Sequence, residues 1–556
     1  MPALTVLAAV VVVAALFGSG IAGRAPDPAA LAVAAGASSS PAPASVTPAG
    51  PVVSPDSTAA PSPASGSPSD APAAADPNAA PPAPDGPVTA IAIVPVTNFR
   101  SPRTSVAGPD IAAIAAGTSA WSALVLVSAD ADPILATLGT TRAALGSRLV
   151  LVSSTAALAG NLAANRTRLA FVRADDLRPS VRALAWGGVS ITGVNRVASL
   201  AAWPLVAQLP GPTVGAPAYD PAAAWTLVAG GDILLDRGVS LAMTANGRDY
   251  PYRGGTVKIT GHCLNCSPMG WDLPYTRRTG NAGAFTALVK AADIAIANFE
   301  NPAPNSWHLH TKGMIFSANP KNIAGVRDAG FDWVSMANNH IGDAGKTGIV
   351  QTQANLDAYG IKHTGAGRNC ADAHKASLLK AGGVTVGILA YDSIAGYYRC
   401  GTASAGSARL TVTALKADIA ATRARGADVV IVFPHWGIEY HAAPSAFQLS
   451  MGRAAIDAGA DMVIGNHPHW AEGMEVYKGK PIWYALGNLV FDQSWSEPTM
   501  EGITLEMTFQ GKVLEQVRIR PHLIMVKSQP NFMDPAGSGK VVMDQVWKAS
   551  AGRLPW

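Results

Sequence analysis

Five short segments between residues 231 and 469 carry side chains that could bind divalent cations, and each follows a predicted β-strand. The segments are Gly231-Asp232, Asn298-Phe-Glu300, Ala337-Asn-Asn-His340, His435-Trp-Gly and Gly465-Asn-His-Pro-His469. Carboxylates and imidazoles are ligands that can hold two such cations side by side. Ligands of open α/β sheets bind at the carboxyl ends of the strands. Residue type and position together predict a metal centre at one sheet edge.

The two acids each have a structural interpretation beside the metal one. Asp232 is either a carboxylate ligand or a turn residue that caps the next segment. Glu300 either bridges two cations through its two oxygens or ends a strand in a turn with Asn301-Pro302. A single acid would leave both interpretations open.

The histidines favour the metal interpretation because four of them follow strands together with the two acids. His340 could protonate a leaving oxygen if it is not itself a ligand, and His467 and His469 flank a rigid proline. Glu439 could orient a neighbouring imidazole. Asn488 could bind substrate or a ligand, or occupy a turn. We interpret Asp492, Glu497, His308, His310 and His363 as surface residues.

Alternating strand and helix signals surround these segments and predict an α/β domain over residues 222–525. Strands are predicted at 225–229, 293–297, 333–337, 384–390, 428–433, 461–464 and 482–486, with helices at 411–425 and 445–458 among others. Their continuous apolar character is typical of strands covered on both faces. Residues 250–278 break this rhythm and predict an inserted loop near the mouth of the site. A tail with a helix follows at 526–556.

The N-terminal 87 residues predict export and a spacer. Residues 4–17 are apolar apart from Thr5, so residues 1–23 are either a signal peptide or an uncleaved membrane anchor. Residues 24–87 are almost entirely Ala, Pro, Ser, Gly, Asp and Val, which predicts a disordered spacer. The net charge of +4 with 14% charged residues gives no basic stripe for nucleic acid.

A smaller α/β domain with a parallel sheet is predicted at residues 88–212, followed by a linker. Apolar runs at 90–94, 123–127, 149–152 and 169–172 alternate with alanine-rich segments of helical length. It has no recognisable catalytic cluster. Its segment Arg100-Ser-Pro-Arg-Thr-Ser is either an anion-binding loop or a solvated loop.

Four cysteines are consistent with disulfides in an exported protein. The simplest pairing is Cys263 with Cys266 and Cys370 with Cys400. The alternative is a zinc site on Cys263 and Cys266 with the adjacent His262.

The C-terminal domain resembles the CapA (PgsA) family of capsule synthesis proteins, within the calcineurin-like metallophosphoesterases. The resemblance rests on GGDILLDRGV, ADIAIANFENP, FDWVSMANNHIGDAG, VVIVFPHWGIEY, GADMVIGNHPHW and PIWYALGNLVFD, between about residues 225 and 521. It implies a four-layer α/β/β/α fold. Residues 88–212 lie outside it.

The resemblance also implies roles for the candidate residues. Asp232 would bind one cation (Mn, Fe or Zn), Glu300 would bridge two, and His340 would donate a proton. Asn339 and His435 would bind the second cation with His467 beside them, and His469 would return to the first. Asn298, Glu439 and Asn488 would support ligands or substrate. The family's first motif has a histidine where this chain has Leu234, which leaves either one or two cations bound.

Two functions follow as expectations. One is a metal-dependent phosphoesterase that acts outside the cell on an anionic envelope polymer or a phosphoester. The other is a non-catalytic component of polymer export or anchoring that uses the same fold. Either would associate with the cell envelope and with membrane-bound components of a polymer synthase.

Overall fold

The computed structural model describes residues 88–211 and 218–555. The predicted leader at 1–23, the spacer at 24–87 and most of the predicted linker lie outside the described residues. Within the described ranges, no helix combines the length and the apolar character needed to cross a bilayer.

The N-terminal part is built on a six-stranded mixed sheet, a separate pair of short strands and four helices. The strands are β1 (Val88–Asn98), β2 (Ser105–Val106), β3 (Ala123–Val127), β4 (Leu149–Val152), β5 (Arg168–Arg173), β6 (Val181–Ala183), β7 (Ala185–Trp186) and β8 (Val206–Pro210). The helices are α1 (Gly108–Ala116), α2 (Ala131–Thr137), α3 (Arg142–Leu145) and α4 (Thr155–Ala164).

The direction of β1 corrects the prediction of a parallel sheet. β3 pairs in parallel with β4 and β5, as predicted, but β1 is antiparallel to β5, β6 and β8. β5 and β6 lie on opposite sides of β1 and run in the same direction, joined by residues 174–180. Alternating strand and helix signals carry no information on strand direction.

The C-terminal part contains two large sheets. The first follows the order β11-β10-β26-β25-β24-β9-β12-β13-β14, with β23 beside β9, and the second follows β16-β17-β19-β20-β22-β21. Strands of the first sheet are β9 (Ala224–Ile233), β10 (Thr256–Cys263), β11 (Leu273–Gly280), β12 (Ile294–Phe299), β13 (Trp333–Ser335), β14 (Lys362–Thr364), β23 (Asn488–Val490), β24 (Glu501–Gln510), β25 (Val513–Met525) and β26 (Gln529–Met533).

The second sheet and a small two-stranded sheet of residues 366–367 and 406–407 contain the other strands. They are β15 (Ala366–Gly367), β16 (Ser377–Ala381), β17 (Val384–Asp392), β18 (Gly406–Ser407), β19 (Val429–His435), β20 (Met462–Ile464), β21 (Met474–Tyr477) and β22 (Lys480–Trp483). The helices are α5 (Arg237–Asn246), α6 (Ala284–Lys290), α7 (Ile323–Ala329), α8 (Gly345–Ala358), α9 (Cys370–Ala373), α10 (Val412–Ala424), α11 (Ala446–Asp457), α12 (Glu497–Met500) and α13 (Lys540–Ala549).

Side chains that alternate along the strands define four layers. One face of β9 packs against the second sheet, where Leu227 joins Ile388 and Ile431 in a common core. The other face, with Val228, packs against helices α5 to α8. The outer face of the second sheet packs against α10 and α11. This order of helix, sheet, sheet and helix confirms the predicted α/β/β/α fold, and the predicted strands match β9, β12, β13, β17, β19, β20 and β22.

Residues 250–278 form a β-hairpin, which corrects the prediction of an irregular loop. β10 and β11 pair antiparallel, and β10 extends the first sheet beside β26. The tip of the hairpin reaches towards the segment that follows β20, since the rings of Trp271 and Trp470 lie 5.8 Å apart. The predicted place near the site therefore agrees with the structure.

Polar contacts join the N-terminal sheet to strands β24 and β25. The backbone N–H of Gly193 donates to Thr508 Oγ1 at 2.8 Å, and that of Val194 donates to Glu506 Oε1 at 2.9 Å. The Gln516 side chain accepts from Ala183 N–H. Both parts belong to one compact unit.

Two disulfides join the cysteines in the predicted pairs. Cys263 is bonded to Cys266 at the hairpin tip, and Cys370 is bonded to Cys400. The alternative of a zinc site on Cys263 and Cys266 is wrong, because their sulfurs are bonded to each other.

Candidate metal centre

The carboxyl ends of strands from both sheets meet at one edge of the four-layer core. Asp232 lies near the end of β9, Glu300 follows β12, and His435 ends β19. His467 and His469 follow β20. All five side chains are buried. The predicted ligands are thus separated by up to 237 positions in sequence and are adjacent in the fold.

Gly231 allows the end of β9 to approach the backbone of Gly487 closely. A Cβ atom on Gly231 would lie 1.8 Å from the carbonyl oxygen of Gly487. The following residue, Asp232, donates its backbone N–H to that oxygen at 3.1 Å. No larger residue fits there, so the GGD sequence holds Asp232 against Gly487, which directly precedes β23.

Two groups of possible ligand atoms share one carboxylate. Glu300, His435 and His467 form the first group, and Asp232, Glu300 and His469 form the second. Within each group the ligand atoms lie within 4.8 Å of one another. Glu300 Oε1 is 3.6 Å from His435 Nε2 and 3.9 Å from His469 Nε2. Glu300 therefore lies where a residue that bridges two cations would lie.

Glu300 is buried without a hydrogen-bond partner. Its side chain has no exposed surface, and neither carboxyl oxygen accepts a hydrogen bond from a described residue. Burial, and then the charge of Asp232, raise the pKa of Glu300 well above its usual value. A buried carboxylate without partners is costly. Either a proton or a cation is needed to neutralise it.

The imidazoles of His435 and His467 are neutral and can offer nitrogen lone pairs. Burial lowers the pKa of both well below the ordinary value, and the neighbouring histidines lower it further. His435 Nε2 lies 2.8 Å from Asn339 Oδ1 and 3.1 Å from His467 Nδ1. Three atoms that could bind a cation thus converge around one point.

The backbone that carries the last two histidines is held in an unusual conformation. His467 and His469 have φ values of 100° and 60°, in the left-handed region that non-glycine residues seldom adopt. The N–H of Tyr440 donates to the carbonyl of Pro468 at 2.8 Å, which helps to fix the turn between them. Strain of this kind is concentrated at functional sites.

Two asparagines hold the candidate ligands from behind. Asn298 Nδ2 donates to Asp232 Oδ1 at 2.8 Å and lies 3.2 Å from His435 Nδ1. Asn488 Oδ1 accepts from His469 Nδ1 at 2.9 Å, which leaves Nε2 of His469 directed to the Glu300 side. Such contacts fix the tautomer and direction of a metal-binding histidine.

His340 lies at the margin of the cluster and has its own acidic partner. Its Nδ1 is 2.9 Å from Asp343 Oδ2, and its ring packs 4.2 Å from that of Phe316. His340 belongs to neither group of possible ligands. Its charge nevertheless lowers the pKa of His435 and His467, so it lies close to both.

The backbone carbonyl of Glu439 accepts from Nδ1 of the exposed His441 at 2.8 Å, and support of a cluster imidazole by its carboxylate stays a prediction. The side chain of Glu439 bonds to the Tyr440 hydroxyl, whose pKa is raised by burial and by Glu439. The ring of Tyr440 stacks 5.9 Å from that of His469. The charge of Glu439 also raises the pKa of Glu300.

Leu234 lies in an apolar cluster, and its side chain has no atom that could bind a cation. It is fully buried with Phe316, Phe491 and Ile524. The departure from the family's first motif is therefore accommodated by packing. Asp232, Glu300 and His469 remain as the ligand group on this side.

An arginine near the cluster was missed in the sequence. Arg237 is 14% exposed, pairs with Asp492 and lies over the rings of Phe316 and Phe491. Its positive charge opposes the rise in the pKa of Glu300. Its signal was the Asp-Arg-Gly sequence directly after β9. The interpretation of Asp492 as a surface residue is wrong, since it is 12% exposed and bound to Arg237.

His310 and His363 also differ from the surface interpretation. His310 Nδ1 lies 2.8 Å from the buried carboxylate of Asp236. His363 has a side chain that is 11% exposed, and burial lowers its pKa. His308 is exposed as expected.

The donor set fits divalent cations. It combines two carboxylates with three imidazoles and an amide oxygen, a mixture suited to Mn, Fe or Zn. The strongest support for a cation comes from the two carboxyl oxygens of Glu300, which have no hydrogen-bond partner among the described residues.

Comparison with known proteins gives a family for the region that holds this cluster. Residues 226–493 match the family described as "Bacterial capsule synthesis protein PGA_cap". The chain is 34% identical over 218 residues to "PGA biosynthesis protein CapA" of Bacillus subtilis, covering 38% of this chain and 56% of that protein. It is 29% identical over 279 residues to "Capsule biosynthesis protein CapA" of Bacillus anthracis, covering 49% and 61%. Both matches span less than two thirds of the relative.

Among solved structures, the chain is similar to the calcineurin-like phosphoesterase YfkN from Bacillus subtilis. The TM-score is 0.30 at 13% identity, covering 60% of this chain and 98% of that one.

Proposed function

Because residues 226–493 belong to the PGA_cap family of bacterial capsule synthesis proteins, we propose that this chain acts in the synthesis of a polyglutamate-type capsule polymer as a metal-dependent phosphoesterase. The observation that carries the proposal is Glu300, a buried carboxylate without partners between two groups of possible ligands. It supports a centre for one or two divalent cations.

The ligand roles follow from the two groups. Asp232 and His469 would hold one cation, and His435, His467 and Asn339 would hold the other, with Glu300 between them. When bound, such cations supply Lewis acidity towards a phosphoryl oxygen and activate water as a nucleophile. Asn298 and Asn488 would fix the orientations of the Asp232 and His469 side chains.

Two further side chains would act on the substrate. His340, fixed by Asp343 and outside both ligand groups, would give a proton to the leaving oxygen. Arg237 would neutralise an anionic group of the substrate, because its charge acts on Glu300 and its Nε has no partner among the described residues.

The substrate would be a phosphoester or an anionic polymer of the cell envelope, outside the cytoplasm. The apolar residues 4–17 and the two disulfides favour export. The partners would be membrane-bound components of the polymer synthase.

The test compares metal content and turnover in one matched pair of variants. Purified full chain would be loaded with Mn²⁺, analysed for bound metal and assayed on bis(p-nitrophenyl) phosphate. We expect His435→Ala to lose metal and to lower turnover by at least about 100-fold. His441→Ala, which removes an exposed histidine nearby, should change neither. Equal metal content and turnover in both variants would exclude the proposed centre.

A polymer-binding role without catalysis is the second candidate, and Leu234 favours it. With Leu234 packed in an apolar cluster, the group of Asp232, Glu300 and His469 lacks the histidine of the family's first motif. Metal retained without turnover on a broad phosphoester panel, together with binding of a polyglutamate chain, would support this candidate over the first.

A further inference from the structure

A basic cleft lies where the N-terminal sheet meets β25 and α13, and it shares no lining residue with the metal centre. Its cavity measures about 370 Å³. The cationic residues that line it are Arg100, Arg103, Arg166, Arg182 and Lys540. The acidic residue of the lining is Asp544, which pairs with Lys540. Four arginines therefore line one cavity, and its acid is already paired with Lys540.

Arg182, on β6, is the buried member of this group, with 8% of its surface exposed. Among the described residues, no oxygen accepts a hydrogen bond from its guanidinium and no carboxylate forms an ion pair with it. Burial, and then the charges of Arg518 and Arg520, lower its pKa to about 10. The side chain stays protonated at neutral pH, so a buried positive charge lacks a partner.

The acid nearest to this group is already bound to other cations. Glu506 Oε2 accepts from Arg520 at 2.6 Å, and Glu506 Oε1 accepts from Val194 N–H and lies 3.9 Å from Arg518. One carboxylate thus faces three guanidinium groups. An anion bound from the solvent would neutralise this excess positive charge.

The loop after β1 holds Arg100 and Arg103 in fixed positions. Asn98 Oδ1 accepts from Arg100 N–H at 2.9 Å, and Ser101 Oγ accepts from Arg103 N–H at 3.3 Å. The Arg103 guanidinium lies 4.3 Å from the centroid of the Trp121 ring. Arg100 Nε is buried and has no partner among the described residues.

The opposite wall of the cleft is apolar. Ile519 of β25 and Met543 and Trp547 of α13 contribute it. A cavity with several guanidinium groups on one side and an apolar wall on the other suits a molecule larger than a single inorganic ion. Each guanidinium can bind a carboxylate or a phosphate through two parallel hydrogen bonds.

We propose that this cleft binds an organic polyanion, that is, a molecule with two or more carboxylate or phosphate groups on an aliphatic chain. The site requires no cation and is independent of the proposed phosphoesterase activity. The loop of Arg100 is then an anion-binding loop, which was one of the two interpretations of its sequence.

The test measures the binding of two defined polyanions to the full chain by calorimetry. The probes are a γ-linked glutamate pentamer and a glycerol phosphate oligomer of equal charge, with protein stripped of metal and dialysed free of chelator. We expect Arg182→Gln and Arg100→Gln each to weaken binding by at least about tenfold. Arg142→Gln, which removes a surface arginine paired with Asp132, is the control and should bind like the wild type.

The melting temperature of Arg182→Gln distinguishes a binding role of Arg182 from a structural role. Because its buried charge lacks a partner, Arg182→Gln without ligand should melt no lower than the wild type, and the probe should raise only the melting temperature of the wild type. The probe that binds more tightly identifies the anionic group.

Equal binding to the wild type and to both cleft variants would overturn the proposal, as would failure of the wild type to bind either probe at low salt. If Arg182→Gln does not fold, Arg100→Gln and Arg166→Gln decide, because Arg166 is exposed and Arg100 only half-buried.

Discussion

The effect of the Glu300→Gln substitution on stability should depend on metal. Without metal the variant should be at least as stable as the wild type, and with metal it should be less stable. In the metal-free protein the carboxyl of Glu300 is buried beside Asp232 and accepts no hydrogen bond from the described residues. A glutamine amide carries no negative charge and can donate to Asp232. We therefore expect metal-free Glu300→Gln to be at least as stable as the wild type.

The size of the reversal follows from two estimates. A buried polar group without a partner costs about 1–3 kcal/mol, so the variant should gain up to that amount without metal. Metal at about 100 times its dissociation constant stabilises a single-site protein by about 2.7 kcal/mol. The wild type should gain this from Mn²⁺ and the variant should not. For a protein of this size, 1 kcal/mol corresponds to about 1 °C in melting temperature.

The assay is thermal unfolding of both proteins in metal-free buffer and with saturating Mn²⁺. Glu472→Gln is the control, because Glu472 is also a buried glutamate with a raised pKa but belongs to neither ligand group. Its response to Mn²⁺ should equal that of the wild type. If Mn²⁺ stabilises Glu300→Gln as much as the wild type, Glu300 does not bridge cations and the reasoning is refuted.

Three further predictions concern the surroundings of the centre. Asn488→Ala removes the acceptor of His469 Nδ1 and should weaken Mn²⁺ binding by about 10–100-fold in calorimetry; unchanged affinity would mean that the hydrogen bond does not orient the ligand. Burial lowers the pKa of His522 to about 4, below the value of about 6.5 expected in the unfolded chain, so stability present above pH 6.5 is lost as the pH falls to 4, by about 3 kcal/mol. Urea unfolding at pH 7 and pH 4.5 should therefore show a weaker pH dependence for His522→Gln than for the wild type, and parallel curves would contradict this. Replacing Cys370 and Cys400 together by serine opens a loop of 30 residues and should lower the free energy of unfolding by about 3–4 kcal/mol, measured against the wild type with and without reductant.

Much of the fold could be predicted because its central strands are buried on both faces. Continuous apolar runs such as that of β19 are typical of strands in this setting. The hairpin at residues 256–280 could not be predicted, since its strands are largely exposed and mostly polar. The direction of β1 could not be predicted either, because strand direction depends on which partner strand is available and not on local sequence.

The candidate ligands were predictable because their residue types are unusual at the ends of apolar strands. Arg237 was missed because an arginine after an aspartate is common on surfaces, and its burial depends on Phe316 and Phe491, which are distant in sequence. Arg182 was missed for a similar reason. Its burial arises where β6 meets β25, a contact between segments more than 300 positions apart.

The pairing of β24 with β9 means that the limits of the family match are not the limits of a folding unit. Leu505 on β24 lies opposite Ala229 on β9, the strand that leads to Asp232, although residue 505 lies outside the matched range 226–493. A fragment cut at residue 493 would leave the N–H and C=O groups along that side of β9 without partners, and it would uncover Trp225, which stacks on Phe509. Such an open edge invites aggregation. A recombinant piece meant to study the cation ligands therefore has to extend through β25 and the terminal helix.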